Sequence, residues 1–295
     1  MSDTEEPSAG EREGLAPRTE DPFVGKQLTE RQFAVTDAML ADYYGGLALT
    51  PRGDGRVPTM LGSDAENRYF GEIAFSNHIG HLWMRQGLEC FGPLNKGETY
   101  AVSGRIRDIY PHRDRSVVYY EAEVRDADGN LAVRTHHHQS FLREKPAGGQ
   151  VTFRDPSKKP GARKFIIPEG ERFGGFTRTI TLEMCGEFFH GDANYHTDKK
   201  ESQALGFRDV VVGGRMTLAY TAHLLEERFG DAWWDSGRLD LKFTNPTWPN
   251  DVITAHGVDT GPVEGDDGGG RMGAFVWLEK ADGTVVVIVQ ASVSA

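Results

Sequence analysis

Apolar residues recur at a helical period in both halves of the chain. In the second half they fall at i, i+3, i+4, i+7 and i+8, which predicts a long helix that ends at Gly230. This stripe consists of Met216, Ala219, Tyr220, His223 and Leu224. A weaker stripe predicts a long helix in the first half, formed by Ile79, Leu82, Trp83 and Cys90.

Runs of alternating or β-branched apolar residues follow each predicted long helix and predict strands. These strands cover residues 116–124, 131–141, 239–243, 252–258, 274–279 and 284–293. The continuous β-branched run at 285–289 predicts a strand that is buried on both faces. A helix followed by a meander of antiparallel strands predicts an α+β fold, with the sheet wrapped around the long helix.

Three segments of the first half match three segments of the second half in the same order, which indicates a tandem duplication. The first pair are short amphipathic helices that end in two aromatic residues and a glycine, and the third pair are hairpin turns. The matching pairs are residues 36–46 with 181–191, 92–104 with 245–257, and 126–131 with 280–285.

Two polar stretches divide the chain into these copies. Residues 1–23 are rich in Glu, Ser, Pro and Gly and predict a disordered acidic arm. Residues 145–172 predict a linker, interrupted by one short apolar strand at 164–167. The two structural units are therefore expected at 24–144 and 173–295.

Composition narrows the class of protein. No apolar run approaches the roughly 20 residues of a membrane span, and the N-terminus lacks the order of a secretory signal. Two cysteines cannot form a disulfide framework, so we expect a cytoplasmic protein. The net charge of -11 argues against nucleic acid as a partner.

The segment after the second short helix concentrates residue types that suit acid–base catalysis. It holds Asp192, Asn194, His196 and Asp198. A carboxylate and an imidazole held together can exchange protons with one substrate, and an amide can orient either group. The alternative interpretation is that these residues cap a helix and form turns.

The same segment resembles the MaoC-like (R)-specific enoyl-CoA hydratases. GDANYHTD at 191–198 is similar to the family's Gly-Asp-x-Asn-Pro-x-His loop, ALGF at 204–207 to its Ala-x-x-x-Gly-Phe stretch, and VVGGRMT at 211–217 to the start of its central helix. His196 follows Asp192 by four residues rather than the family's five, and Tyr195 stands where the family has Pro. Either the loop is one residue shorter with the same chemistry, or His196 acts with Asn194 or Asp198.

The resemblance implies a double hotdog fold over residues 24–295, in which a long central helix is wrapped by an antiparallel sheet in each half. It implies a hydro-lyase that interconverts a 2-enoyl thioester and an (R)-3-hydroxyacyl thioester without a further cofactor. Asp192, His196 and Asn194 would carry the acid–base chemistry. Gly214, or Gly213 as second choice, would donate a backbone N–H to the thioester oxygen.

The first half is expected to be catalytically degenerate, because Leu47 stands where Asp192 is found in the second half and no histidine follows nearby. His78 and His81 lie at the start of its predicted long helix, and both are expected to line the pocket or lie in the core. His78 and Trp83 are candidates for binding the substrate. No third metal ligand is apparent for the two histidines, so we expect no metal. The run at residues 136–138 lies in a predicted strand, where neighbouring histidines point to opposite faces and cannot converge on one ion.

The phosphates of coenzyme A require a local basic patch on such an acidic chain. The candidates are Lys199, Lys200, Arg208, Arg215 and Lys242, for each of which solvated surface charge is the alternative. The thioester carrier can be coenzyme A or an acyl carrier protein, and we expect a homodimer. A hotdog thioesterase and a non-catalytic acyl-binding subunit are the competing functions.

Overall fold

The computed structural model describes residues 20–144, 166–191, 193–205, 207–264 and 269–295. Seven α-helices occur in these ranges, together with one 3-10 turn at Asn67–Tyr69. The helices are α1 (Asp37–Gly46), α2 (Leu61–Asp64), α3 (Phe70–Ile73), α4 (Leu182–Phe188), α5 (Lys199–Ala204), α6 (Gly214–Phe229) and α7 (Asp231–Ser236).

The strands form one 10-stranded antiparallel sheet whose two halves mirror each other. Five strands come from the first half: β1 (Gln27–Ala34), β2 (Gly80–Cys90), β3 (Thr99–His112), β4 (Arg115–Arg125) and β5 (Leu131–Leu142). Five come from the second half: β6 (Arg172–Thr179), β7 (Arg238–Phe243), β8 (Val252–Glu264), β9 (Gly270–Lys280) and β10 (Val285–Ser294). Their order is β1-β3-β4-β5-β2-β7-β10-β9-β8-β6, so the two halves join where β2 pairs with β7.

The sheet encloses α6, the long helix predicted from the apolar stripe of the second half. Side chains are buried around nearly its whole circumference, from Met216 to Glu226. The helix ends at Gly230, whose φ of 55° continues the chain in a left-handed conformation. The predicted long helix and its end are confirmed.

The long helix predicted in the first half is wrong. Residues 80–90 form strand β2, which pairs with β5 on one side and β7 on the other. From Gln86 to Cys90 the buried positions alternate, as a strand requires, but the buried Gln86 hides this period from a search for apolar residues. Short helices α2 and α3 precede β2, and no helix of the first half's described residues matches α6 in length.

The matched segments occupy equivalent places in the two halves. Thr36 and Thr181 cap α1 and α4, and each side-chain oxygen accepts a hydrogen bond at 3.2 Å from the backbone N–H three residues later. The two matched turns join β4 to β5 and β9 to β10, and their glycines, Gly129 and Gly283, have φ values of 84° and 82°. Equal caps and equal turns support the duplication predicted from sequence.

The six strands predicted to follow the long helices are present, and the α+β class is confirmed. Strands β1, β2, β3 and β6 are not among these six. The predicted arm and linker lie mostly outside the described residues, so both stay predictions. The strand expected at 164–167 lies partly outside them, and residues 166 and 167 are not in a strand. Within the described ranges, no helix combines the length and apolar character that crossing a membrane would take.

Candidate active site

A cavity of about 450 Å³ lies between the two halves, beside the N-terminal end of α6. His196, Gly214 and Arg215 line it from the second half, and His81 and Trp83 line it from β2. His137 on β5, Phe243 on β7 and Val287 on β10 extend the wall across the junction of the halves. The cavity is therefore built by both copies of the repeat.

Both the backbone and the side chain of His196 are held by hydrogen bonds. Its backbone N–H donates to Asn194 Oδ1 at 2.8 Å, and its ring Nδ1–H donates to the Val211 carbonyl at 2.7 Å. The Phe189 ring stacks on the imidazole with a centroid distance of 4.8 Å and an interplanar angle of 16°. These contacts fix the ring in one orientation at the cavity wall.

The same contacts set the protonation state of His196. Burial lowers its pKa to about 4, an effect that the hydrogen bond to Val211 opposes and the Arg215 charge reinforces. At neutral pH the ring is therefore uncharged and carries its proton on Nδ1. The lone pair is left on Nε2, which is the form a general base requires.

The neighbours of His196 have structural roles in the loop. Asn194 shapes the turn that carries His196, as its hydrogen bond to the His196 backbone shows. Asp198 caps α5 and accepts from Lys200 N at 2.8 Å and Glu201 N at 3.1 Å. The capping interpretation therefore holds for Asp198, whereas Asp192 lies outside the described residues.

The glycine pair before α6 is required by close packing. A Cβ at Gly213 would lie 2.3 Å from the Phe189 ring, and one at Gly214 would lie 3.0 Å from the Trp83 ring. The first backbone N–H groups of a helix have no partner within the helix. Gly214 begins α6 and lines the cavity, which places this end of the helix beside His196.

Arg215 is paired within the protein. Its Nε lies 3.1 Å from Asp64 Oδ1, and both side chains are largely buried. Burial raises the pKa of Asp64, and Arg215 opposes that shift. This ion pair links α6 to α2 of the other half, so the guanidinium is already occupied by a carboxylate.

The remaining residues proposed for coenzyme A binding lie away from the cavity lining. Lys199 is exposed, with its Nζ 3.5 Å from Asp209 Oδ1, and Arg208 lies over the Trp248 ring at 4.5 Å. Lys200 and Lys242 are exposed. His78, expected to line the pocket, bonds instead through its Nδ1 to the Phe75 carbonyl at 2.6 Å.

Sequence reasoning missed a contact between the halves beside His196. Tyr195 OH lies 3.0 Å from Nε2 of His81, and the Tyr195 ring touches the His196 ring at a centroid distance of 3.8 Å. Burial lowers the pKa of His81 to about 3 and raises that of Tyr195. Both groups are therefore uncharged at neutral pH, and the contact between them is a neutral hydrogen bond. Through this bond Tyr195, which stands where the family has Pro, holds the loop against β2.

A buried polar network behind the cavity wall of the first half was also missed, and His137 is its member in the lining. Glu66 accepts hydrogen bonds from Gln86 Nε2 at 3.0 Å and from Thr135 Oγ1, and it bonds His137 Nδ1 at 3.0 Å. The His137 ring stacks on Trp83 at 4.6 Å. The middle position of the histidine run thus faces inward, and His136 instead contacts Glu89 on the other face, as the strand period predicted.

Comparison with known proteins finds one similar family model. Residues 172–271 match the family model described as MaoC like domain. A search of curated protein sequences gave no match.

Similar solved structures cover both halves of the chain. A MaoC-like dehydratase is 15% identical, with a TM-score of 0.70 over 92% of this chain and 98% of its own. The peroxisomal multifunctional enzyme type 2 of Drosophila melanogaster is 16% identical, with a TM-score of 0.64 over 91% of this chain and 48% of its own. A Mycobacterium tuberculosis protein described as having a double hotdog fold is 11% identical, with a TM-score of 0.61 over 92% of this chain and 96% of its own. The chain therefore has the double hotdog fold, and residues 172–271 of its second half are similar to the MaoC-like domain.

Proposed function

We propose that the protein is a hydro-lyase that adds water to, or removes it from, the Cα=Cβ bond of an acyl thioester. The observation that carries the proposal is His196, a neutral imidazole with its Nδ1 proton tied to Val211, in the same cavity as the first residue of α6. Such a residue suits proton transfer to and from water, and a helix N-terminus suits a developing negative charge.

In the hydration direction, His196 Nε2 takes a proton from water while the water oxygen forms a bond to Cβ. The π electrons of the Cα=Cβ bond move toward the thioester carbonyl and give an enolate oxygen. A backbone N–H at the start of α6, from Gly214 or Gly213, stabilises that oxygen. Cα then takes that proton from the protonated His196, directly or by relay through Asp192, so the elements of one water are added and His196 returns to its neutral form.

The test is loss of enoyl absorbance with purified protein and a panel of 2-enoyl-CoA thioesters. His196→Ala is expected to reduce kcat about 10³-fold or more, within the range of general acid–base catalysis. His190→Asn is the matched control, because His190 lies in the same loop but contacts Asp42 outside the cavity. Undiminished turnover in His196→Ala would overturn the assignment, and release of free thiol without change at Cα and Cβ would indicate a thioesterase.

The pH dependence of kcat/KM gives a second test. Because the pKa of His196 is lowered to about 4, its basic form persists as the pH falls below the ordinary histidine range. Activity is therefore expected to stay level between about pH 8 and pH 5 and to fall as the pH passes about 4. A fall centred near pH 6.5 would contradict the role given to His196.

A further inference from the structure

Two part-buried arginines line the cavity and differ in how their charges are compensated. Arg215, from the second half, pairs with Asp64. Arg115, from the first half, has no carboxylate within ion-pair distance in the part of the chain that the structure describes. The exposed Arg113 and Asp114 also line the cavity, and Asp114 partly offsets the charge of Arg115. A part-buried cation without a paired carboxylate is still costly, so it points to a partner that the protein itself does not supply.

The backbone holds Arg115 at the mouth of the cavity. It is the first residue of β4 and pairs with His112 across a two-residue turn, where Arg113 adopts a left-handed φ of 58°. Its Nη1 lies 3.5 Å from Ser140 Oγ, the long limit of a hydrogen bond. Burial lowers the pKa of Arg115, an effect that the exposed Asp114 opposes.

We propose that Arg115 is a specificity-determining residue whose guanidinium binds an anionic oxygen group of the thioester substrate. That group is a phosphate of the carrier or a carboxylate at the far end of the acyl group. Both present paired oxygens that match the planar fork of arginine. The proposal rests on the proposed function for the class of substrate.

The experiment compares three substrates in wild type and Arg115→Gln. They are crotonyl-CoA, crotonyl-pantetheine, which lacks the phosphates, and glutaconyl-CoA, whose acyl group ends in a carboxylate. If Arg115 binds phosphate, kcat/KM falls about 10- to 100-fold for both CoA thioesters and stays unchanged for the pantetheine thioester. If it binds the acyl carboxylate, only glutaconyl-CoA is affected. In either case the loss lies mainly in KM.

Arg107→Gln is the matched control, because Arg107 belongs to the same hairpin but pairs with Glu121 at 3.0 Å. Arg115→Lys, which keeps the charge and loses the fork, is expected to retain part of the lost kcat/KM. Unchanged kinetics for all three substrates, or an equal loss for all three, would overturn the proposal. The melting temperature of Arg115→Gln is expected not to fall, because a charge without a partner is removed; a clear fall would assign Arg115 a structural role instead.

Binding separates this proposal from the proposed function. Calorimetric titration with butyryl-CoA, butyryl-pantetheine and glutaryl-CoA needs no turnover. Failure of the wild type to hydrate any enoyl thioester would contradict the proposed function, whereas the same selective loss of affinity in Arg115→Gln would still support the anion site. Equal affinities of wild type and Arg115→Gln for all three ligands would contradict the anion site alone.

Discussion

The two halves share a strand frame but differ in the segment between their first helix and inner strand. In the first half, residues 47–79 form only short helical turns and contribute the buried Glu66. In the second half, residues 189–237 contain the His196 loop and α6. The same arrangement of strands therefore accommodates either the short helices of the first half or the His196 loop and α6 of the second half. One copy supplies candidate acid–base residues, and the other supplies the facing wall with His81, Trp83 and His137.

The largest effect on stability is expected at the Arg215–Asp64 ion pair, which joins the two halves. Arg215→Met would leave Asp64 of the first half buried without its partner, at a cost of about 3–5 kcal/mol in the free energy of unfolding. Urea unfolding measures this cost. Arg228→Met is the control, because Arg228 and Asp259 form a more exposed pair whose loss is expected to cost about 1 kcal/mol or less.

Addition of Asp64→Leu to Arg215→Met is expected to restore much of that stability, since the uncompensated carboxylate is then removed. If Arg215→Met costs no more than Arg228→Met, the contact does not hold the two halves together.

The next largest effect is expected in the pH dependence of the free energy of unfolding, from the buried carboxyl group of Glu226 in α6. Burial raises the pKa of Glu226 to about 7, although Thr59 of the first half donates two hydrogen bonds to it. The folded state therefore favours the protonated form, and its stabilising contribution is lost as the pH rises from about 4.5 through about 7. Unfolding at pH 5 and pH 8.5 should show this loss as about 2–3 kcal/mol in wild type.

Glu226→Gln is expected to show a smaller loss across the same interval, because the amide does not titrate. The control is Glu227→Gln, at the exposed neighbouring position. A Glu226→Gln profile parallel to that of wild type would contradict the assignment.

Two histidines that line the cavity, one from each half, compare the halves directly. The pKa values of His81 and His196 are both lowered, to about 3 and about 4. As the pH falls from about 6.5 to about 4, the unfolded chain takes up protons that the folded chain excludes. His81→Gln should therefore lose about 1–3 kcal/mol less stability than wild type between pH 7 and pH 4.5. Equal losses would show that His81 is not held neutral.

The smallest effect is expected at the basic residues outside the cavity. Lys199→Ala, Lys200→Ala and Arg208→Ala should each change kcat/KM by about threefold or less, because exposed charges interact weakly. The kcat/KM of each variant is compared with that of Arg115→Gln. This comparison shows whether the charge of the substrate is recognised by the first half or by these surface residues of the second. A loss larger than that of Arg115→Gln would reverse that ranking.

The elements that sequence predicted well are those whose burial comes from their own apolar residues. Helix α6 and the hairpin strands belong to this group. Strand β2 does not, because its buried Gln86 donates a hydrogen bond to Glu66, a residue 20 positions earlier that no local pattern connects to it. A polar residue that is buried with a distant partner therefore interrupts the alternation of apolar residues by which a strand is predicted.

The candidate site divides in the same way. His196 and the glycine pair were found because their motif is local. Arg115, His81 and the Glu66 network come from the other copy and meet the cavity only after the halves pair. The signals for this wall were His81, Trp83 and the histidine run at residues 136–138, whose strand period gave the correct facing.

The pairing of β2 with β7 inside a single chain has a consequence for how the cavity can vary. In an assembly of identical copies, each substitution would change both sides of such a cavity at once. Here the two walls are encoded by separate stretches of sequence, so one wall can change while the other stays fixed. Because the walls are also covalently joined, dilution cannot separate them, and specific activity should not depend on protein concentration.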